Sequence, residues 1–258
     1  QPDAIIIATG STPITPRIPG IDLPSVKHAT TVYTDLSIVG DSVVVIGGGN
    51  VSMDAVRTAK RLGAKKVSIL YRRRRNDMTA LPGEIEGAVA EGIEIVTLKA
   101  PASLDVGEDH KIHGIYATPQ MISATKDGRA SVKPTGEPDV YIPCDILIKA
   151  IGQDIESGHF EKAGIPVSRG KIVTLKSGAF ENMPGVFAGG DCSSGPASVI
   201  KAIAAAKVVA ANIDEYLGYH HEITSGVEIP EASLKDKTPC GRVNLTERDA
   251  CERVCDFN

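Results

Sequence analysis

The chain has 258 residues and 42% hydrophobic content, enough to bury one large or two modest cores. Its formal net charge of −4 excludes the basic footprint of a nucleic-acid-binding protein. The most apolar long stretch, residues 197–217, is interrupted by Lys201, Lys207, Asp214 and Glu215, which excludes a membrane-spanning helix there. The five cysteines, Cys144, Cys192, Cys240, Cys251 and Cys255, form neither a disulfide framework nor a redox Cys-x-x-Cys pair, which suits a reducing cytoplasm. The sequence opens Gln1-Pro2-Asp3 and enters an apolar strand at once, which reads as a fragment.

Residues 4–8 are that strand, leaving through Thr9-Gly10-Ser11-Thr12-Pro13, and Pro16, Pro19-Gly20 and Pro24 then keep the backbone extended or turning. Residues 30–36 read as a short connection. From Ser42 the pattern changes to strand, glycine turn, helix and second strand. The turn is Gly47-x-Gly49-x-x-Ser52, a dinucleotide fingerprint whose third position is small but not Gly. Glycines there let the main chain approach a pyrophosphate, and the helix N-terminus turns its N–H groups and positive dipole end toward it. Gly47, Gly49, Asn50, Val51 and Ser52 are therefore the expected pyrophosphate cradle. Val51, Ala55, Ala59 and Leu62 are expected to share one helix face, with Lys60 and Arg61 in the last turn and Gly63 as the stop. Asn50 and Asp54 stand four apart at the helix start, either capping and solvated or in contact with a cofactor or neighbouring domain.

The second strand, residues 67–71, ends in Arg72, Arg73, Arg74 and Arg75. An acidic residue at this position would bind a ribose 2′-hydroxyl, whereas Arg72 and Arg73 offer planar, permanently charged forks suited to a 2′-phosphate. The sequence thus points to NADPH rather than NADH, with Arg74 and Arg75 equally readable as a solvated basic turn. After Met78-Thr79-Ala80-Leu81, Pro82 opens a helix that Gly92 ends, and residues 93–97 make a third strand.

Residues 101–144 read as a β-meander, with Asp-Gly and Thr-Gly-Glu-Pro turns. His110 and His113 are exposed strand or turn residues with no third ligand at metal spacing, so no metal site is expected. Residues 145–150 form a strand followed by Ile151-Gly152-Gln153, and residues 171–174 and 185–188 form short ones, the last running into Gly189-Gly190-Asp191. Gly195-Pro196-Ala197 opens a long helix that is apolar or small on most sides, so it is expected to be packed inside the fold. The tail from Gly218 is polar, and Cys240 and Cys251-x-x-x-Cys255 read as unpaired thiols in preference to cluster ligands.

Two constellations carry a resemblance. Ile7-Ala8-Thr9-Gly10-Ser11-x-Pro13 with Ile18-Pro19-Gly20 resembles the crossover between the FAD- and NAD(P)-binding domains of two-dinucleotide flavoprotein reductases. Ala150-Ile151-Gly152-Gln153, then Val186 to Asp191, then Gly195-Pro196-Ala197-Ser198-Val199 is similar to their returning FAD segment. The joint order of these motifs with Gly47-Gly48-Gly49-Asn50-x-x-Met53-Asp54, Tyr71-Arg72-Arg73, Glu84-Ile85-x-x-Ala88 and Glu91-Gly92-Ile93 is similar to the small (β) subunits of NADPH-dependent glutamate synthase, from Ala4 to about Leu217.

That resemblance implies an α/β fold, a two-dinucleotide-binding-domain flavoprotein of the glutathione/thioredoxin reductase three-layer type. The FAD domain would be incomplete (residues 1–36 and 150–218), with an inserted NADP-binding domain (37–149) and a C-terminal extension (219–258). Thr9, Gly10, Gly152, Gly190, Asp191, Ala197, Ser198 and Val199 would contact FAD, with Asp191 on the ribityl chain and the helix start near the flavin pyrimidine edge. No side chain acts as acid, base or nucleophile: the family passes a hydride between NADPH and FAD, then single electrons through iron–sulphur clusters to a partner. The implied partner is a larger catalytic or electron-accepting subunit with iron–sulphur clusters. Domain rotation about residues 21–36 and 150–153 would bring the two cofactors together.

The sequence departs from the family in three places. The first FAD fingerprint and the cysteine-rich cluster region, which precede the Ala8-Thr9-Gly10 turn in the family, are absent, and Met78-Thr79-Ala80 replaces a more usual Met-Pro. Thioredoxin-reductase chemistry would need a dithiol between the nucleotide halves, where residues 42–150 hold only Cys144. The alternative is a non-catalytic NADP(H)-binding or assembly subunit of a larger redox complex.

Overall fold

The computed structural model describes residues 2–35, 40–126, 129–222, 241 and 245–257. They fall into two compact units: Gln1–Thr12 with Gln153–Thr246, and Pro13–Gly152 with Glu247–Asn258. The chain begins with β1 (Ile5–Ile7) and β2 (Thr12–Pro13).

The larger unit then runs β3 (Val26–His28), α1 (Ala29–Thr34), β4 (Ser42–Ile46), α2 (Asn50–Arg61), β5 (Lys66–Tyr71), α3 (Pro82–Ala90) and β6 (Glu94–Thr97). It continues through β7 (Lys99–Val106), β8 (Ile112–Lys126), β9 (Arg129–Pro134), β10 (Val140–Pro143) and β11 (Ile146–Lys149). Strands β3-β11-β4-β5-β6 form one sheet in that order, every pair parallel. Parallel strands covered on both faces need apolar residues at every position, which is why β4 reads Val43-Val44-Val45-Ile46 without alternation. Val43 and Val45 pack with helix residues Val32, Met53, Val56, Ala59 and Ile85. Val44 and Ile46 pack on the other side with Ile112, Ile115, Ala117 and Ile142 from the antiparallel β10-β8-β7 sheet, to which β9 adds through β8. The unit therefore has three layers, and the meander lies where the turn pattern puts it.

Two details of this unit differ from expectation. Residues 29–34 are helical, not a bare connection, because Ala29 and Val32 bury a small apolar face; Leu36 lies outside the described residues. On α2 the buried face is Ser52, Met53, Ala55, Val56 and Ala59, with Val51 half exposed, so the packed stripe is rotated by about one residue. The division between the units also falls at Pro13 and Gln153, because β3 pairs along its length with β11 and draws residues 13–35 into the larger unit.

The chain end joins the same unit. The Glu91 side chain, fully shielded from solvent, accepts from Arg57 Nη2 at 2.8 Å and Arg61 Nη2 at 3.2 Å, while Arg253 Nε of α7 (Ala250–Arg253) lies 3.7 Å away. Arg57 also reaches Glu84 at 2.8 Å, joining α2 to α3. Cys240 lies outside the described residues; Cys251 and Cys255 are exposed free thiols.

The smaller unit contains β12 (Gln153–Asp154), α4 (Gly158–Lys162), β13 (Val167–Ser168), β14 (Lys171–Ile172), β15 (Ala179–Phe180), β16 (Met183–Ala188), α5 (Asp191–Ser194) and α6 (Val199–Leu217). Its sheet is β1-β16-β15, with β1 parallel to β16 in the register Ile7↔Ala188. Ile7, Ile155, Ile172, Phe180, Ala188 and Cys192 form its core. The expectation that the long helix is packed inside is not met. Of α6 only Val209 is buried, and Val199 and Ile200 are 76% and 78% exposed. A helix that is apolar all round needs cover on several sides, and among the described residues only the narrow three-stranded sheet side supplies it. No described helix is long and apolar enough to cross a membrane.

Candidate dinucleotide sites

In the larger unit, strand order reverses where β4 lies between β11 and β5, the place where ligands bind open α/β sheets, just beyond the carboxyl ends of the strands. β4 leaves through Gly47-Gly48-Gly49 directly into α2, and each glycine has its own reason. Gly47 has φ +151°, and a Cβ there would sit 2.3 Å from the Ala150 carbonyl oxygen and from Ser52 Oγ. A Cβ on Gly48 would meet the Tyr71 ring at 2.5 Å. Gly49 is different: its Cβ would meet only Thr79 Oγ1, at an ordinary 3.4 Å, so the folded chain itself does not require glycine there. Close approach by a ligand would.

The Gly49 carbonyl accepts from the N–H groups of Ser52 and Met53, leaving the preceding Asn50 and Val51 amides at the helix opening, before the first helical bond. Asn50 Oδ1 accepts from Leu81 N–H at 2.8 Å, and the Gly48 carbonyl accepts from Thr79 and Ala80. The Met78-Thr79-Ala80 loop is thus fastened across the glycine turn. Ser52 is fully buried with its hydroxyl donating to Ala150 O at 3.3 Å, so its side chain locks α2 to the end of β11 and does not face a ligand. Tyr33 donates to Val51 O at 3.3 Å; burial, and then the Asp54 charge, push the phenol up to about 12, so it stays a donor. Asp54 is itself raised by burial and by Glu84, with Arg57 opposing.

Beside this turn, β5 ends at Tyr71, whose hydroxyl donates to Asp77 O at 2.7 Å. Arg72 is exposed. Arg73 is partly buried, and its Nε donates to the Ala130 carbonyl of β9 at 2.6 Å. Arg74 pairs with Asp77 at 2.8 Å, its charge held by that carboxylate, which fits the reading of a basic turn. Gly152, with φ +106°, accepts from Ile14 N–H at 3.0 Å within the same unit. At the carboxyl ends of β3 and β11, burial lowers both His28 and Lys149, and the Lys149 charge lowers His28 further.

In the smaller unit the parallel pairing of β1 with β16 brings Thr9 and Gly10 to Gly190 and Asp191. Ser11 Oγ donates to Gln153 Oε1 at 2.7 Å and lies 3.2 Å from Asp191 Oδ2. Ser11 and Gln153 were not singled out as site residues; a polar pair flanking two glycine turns was the available signal. Gly10 and Gly190 have φ +69° and +77° with no atom within 4 Å of an added Cβ, so backbone, not crowding, calls for glycine. Asp191 begins the short α5. Ser198 is the N-cap of α6, which starts at Val199, two residues later than the Gly195-Pro196-Ala197 pattern suggests. Ala197, Ser198 and Val199 are all exposed.

Two glycine turns at the carboxyl ends of parallel strands, on two units of which one is inserted in the chain order of the other, define the class of two-domain FAD/NAD(P)-binding oxidoreductases. The chain belongs to the pyridine nucleotide-disulphide oxidoreductase family, whose sequence profile matches residues 1–206. Among curated proteins it is 35% identical over 225 residues to the NADP(+)-dependent formate dehydrogenase subunit beta of Moorella thermoacetica, covering 83% of this chain and 32% of that protein. The NADPH glutamate synthase small chain of Azospirillum brasilense is 34% identical over 185 residues, covering 70% of this chain and 38% of that protein. The chain thus spans about a third of the length of these relatives. The same fold occurs in Mycobacterium tuberculosis FprA in complex with NADPH, with TM-score 0.65 and 19% identity over 84% of this chain and 64% of that one.

Proposed function

We propose that this chain is part of an NADPH:FAD oxidoreductase module that passes electrons between NADP(H) and an iron–sulphur partner subunit, as in glutamate synthase small-subunit-like proteins. The observation that carries the reading is the glycine turn opening α2 beside a strand that ends in Arg72 and Arg73, the place for a dinucleotide with a 2′-phosphate. The residues fit such a ligand. Gly49 leaves room for a pyrophosphate where the fold would tolerate a side chain, and the Asn50 and Val51 amides supply donors at the positive end of a 12-residue helix.

NADPH and FAD, when bound, supply the hydride and electron chemistry. The chain's own groups bind, orient and shield. Gly47, Gly49, Asn50 and Val51 hold the pyrophosphate, with Ser52 seating the helix from behind, and Arg72 and Arg73 select the 2′-phosphate. Thr9, Gly10, Gly190, Asp191 and the 197–199 segment border the flavin, and unit 1–12/153–246 serves as the FAD-binding side of a longer architecture, while Gly152 falls in the larger unit. The free cysteines fit a reducing cytoplasm.

A second reading, an NADP(H)-binding or assembly subunit without redox chemistry of its own, draws support from the uncovered apolar surface of β1 and α6, where Ile5, Ile6, Val199 and Ile200 lie exposed. Anaerobic titration of the native protein with NADPH and with NADH, following flavin absorbance, separates the two. Bleaching at far lower NADPH than NADH supports the reductase. A protein that binds NADPH but carries no flavin band supports the second reading.

A further inference from the structure

Arg73 is not a free surface arginine. Its Nε is fastened to the Ala130 carbonyl at 2.6 Å, and Ala130 is almost wholly buried in β9. The main chain of Arg73 is held too. Its carbonyl accepts from Leu98 N–H at 3.0 Å, and Leu98 O in turn accepts from Gln120 N–H at 2.8 Å. Leu98 stands at φ +54°, a left-handed backbone that a leucine adopts only when its surroundings hold it. Gln120 is where β8 stops pairing with β7 and β10 and begins pairing with β9, in the register Gln120↔Pro134, Ile122↔Val132 and Thr125↔Ala130. The far end of the hairpin, at Ala130, therefore bonds Arg73 directly, and its base, at Gln120, bonds the Leu98 that holds the Arg73 carbonyl.

We infer that the β8–β9 hairpin is a positioning element that sets the guanidinium plane of Arg73, and through it the preference for a 2′-phosphorylated dinucleotide. A guanidinium is planar, so anchoring Nε on a buried carbonyl removes rotation about the end of the side chain. The two Nη groups, which make no hydrogen bond among the described residues, are then held as a fork for a phosphate. Lysine has one point-like ammonium and cannot hold the anchor and the ligand together. This rests on the assignment of Arg72 and Arg73 to the 2′-phosphate made above.

The test compares adenosine 2′,5′-bisphosphate with 5′-AMP, which differ only in the 2′-phosphate, by calorimetry on the full chain. In one variant residues 123–131 are replaced by Asn-Gly, closing the hairpin at the Ile122↔Val132 pair; the other is Arg73→Lys. Each should weaken bisphosphate binding by about tenfold or more while leaving 5′-AMP within about twofold, as expected for losing an oriented charge-assisted contact. A general packing defect would weaken both ligands alike. If the shortened hairpin keeps the wild-type ratio, the positioning role is overturned and the 2′-phosphate assignment stands; if Arg73→Lys keeps it, the assignment of Arg73 fails and the positioning role with it. If the wild type does not distinguish the two ligands, the assignment itself fails. Should the shortened hairpin fail to fold, Ala130→Gly, which loosens the backbone carrying the anchoring carbonyl, takes its place, and an unchanged ratio there overturns the positioning role.

Discussion

Gly47 and Gly49 sit two residues apart in one motif and answer to different masters. Gly47→Ala places a methyl 2.3 Å from a backbone oxygen at φ +151°, so the larger unit should lose several kcal/mol or fail to fold, as read by chemical denaturation. Gly49→Ala should fold with nearly unchanged stability yet lose nucleotide affinity, as read by calorimetry with NADPH; retained affinity would sink the pyrophosphate assignment. At the same scale, burial and the Lys149 charge hold His28 below its ordinary value of 6.5. The unfolded chain then binds a proton that the folded chain resists, so stability must fall as pH drops below about 6.5. His28→Asn should flatten that slope in urea midpoints compared at about pH 7.5 and 5.5. The cysteines divide by exposure. Alkylation of the native protein should label Cys251 and Cys255 but not Cys144, whose buried thiol is pushed up to about 12, nor the fully buried Cys192.

Among the elements, α2 and α3 are coupled by charge as much as by packing. Arg57→Met leaves Glu91 buried with its best partner gone, which should lower stability by about 3–5 kcal/mol in equilibrium unfolding, whereas exchanging both Arg57 and Glu91 for apolar residues should recover much of it. This cluster was not legible in the sequence, because no periodicity shows that two helices turn Arg57, Arg61, Glu84 and Glu91 on each other. The Val43–Ile46 strand, the glycine turn and the arginines at the end of β5 were legible. There, short-range chain geometry fixes the residue types: unbroken branched residues for a strand covered on both faces, and glycines where a Cβ would clash. The Nε anchor of Arg73 was not, since it joins residues 57 apart through a main-chain carbonyl, and a carbonyl carries no sequence signature.

At the scale of the whole molecule, α6 departs from its sequence. Composition alone says that residues 199–217 belong inside something, and the described chain covers only one side of them. Ile203, 52% exposed, should therefore tolerate replacement by Gln within about 0.5 kcal/mol in this chain, as read by thermal unfolding; a large loss would mean that the face is covered. The path of the chain has a consequence at the opposite end. It leaves the larger unit after Gly152 and re-enters it at Glu247, so the same body holds both the glycine turn and α7. Arg253 in α7 faces a carboxylate that also grips the back of α2. A substitution at Arg253 is thus an intervention on the seat of the helix that opens at Gly49, made from some two hundred residues away along the chain and from next door in space.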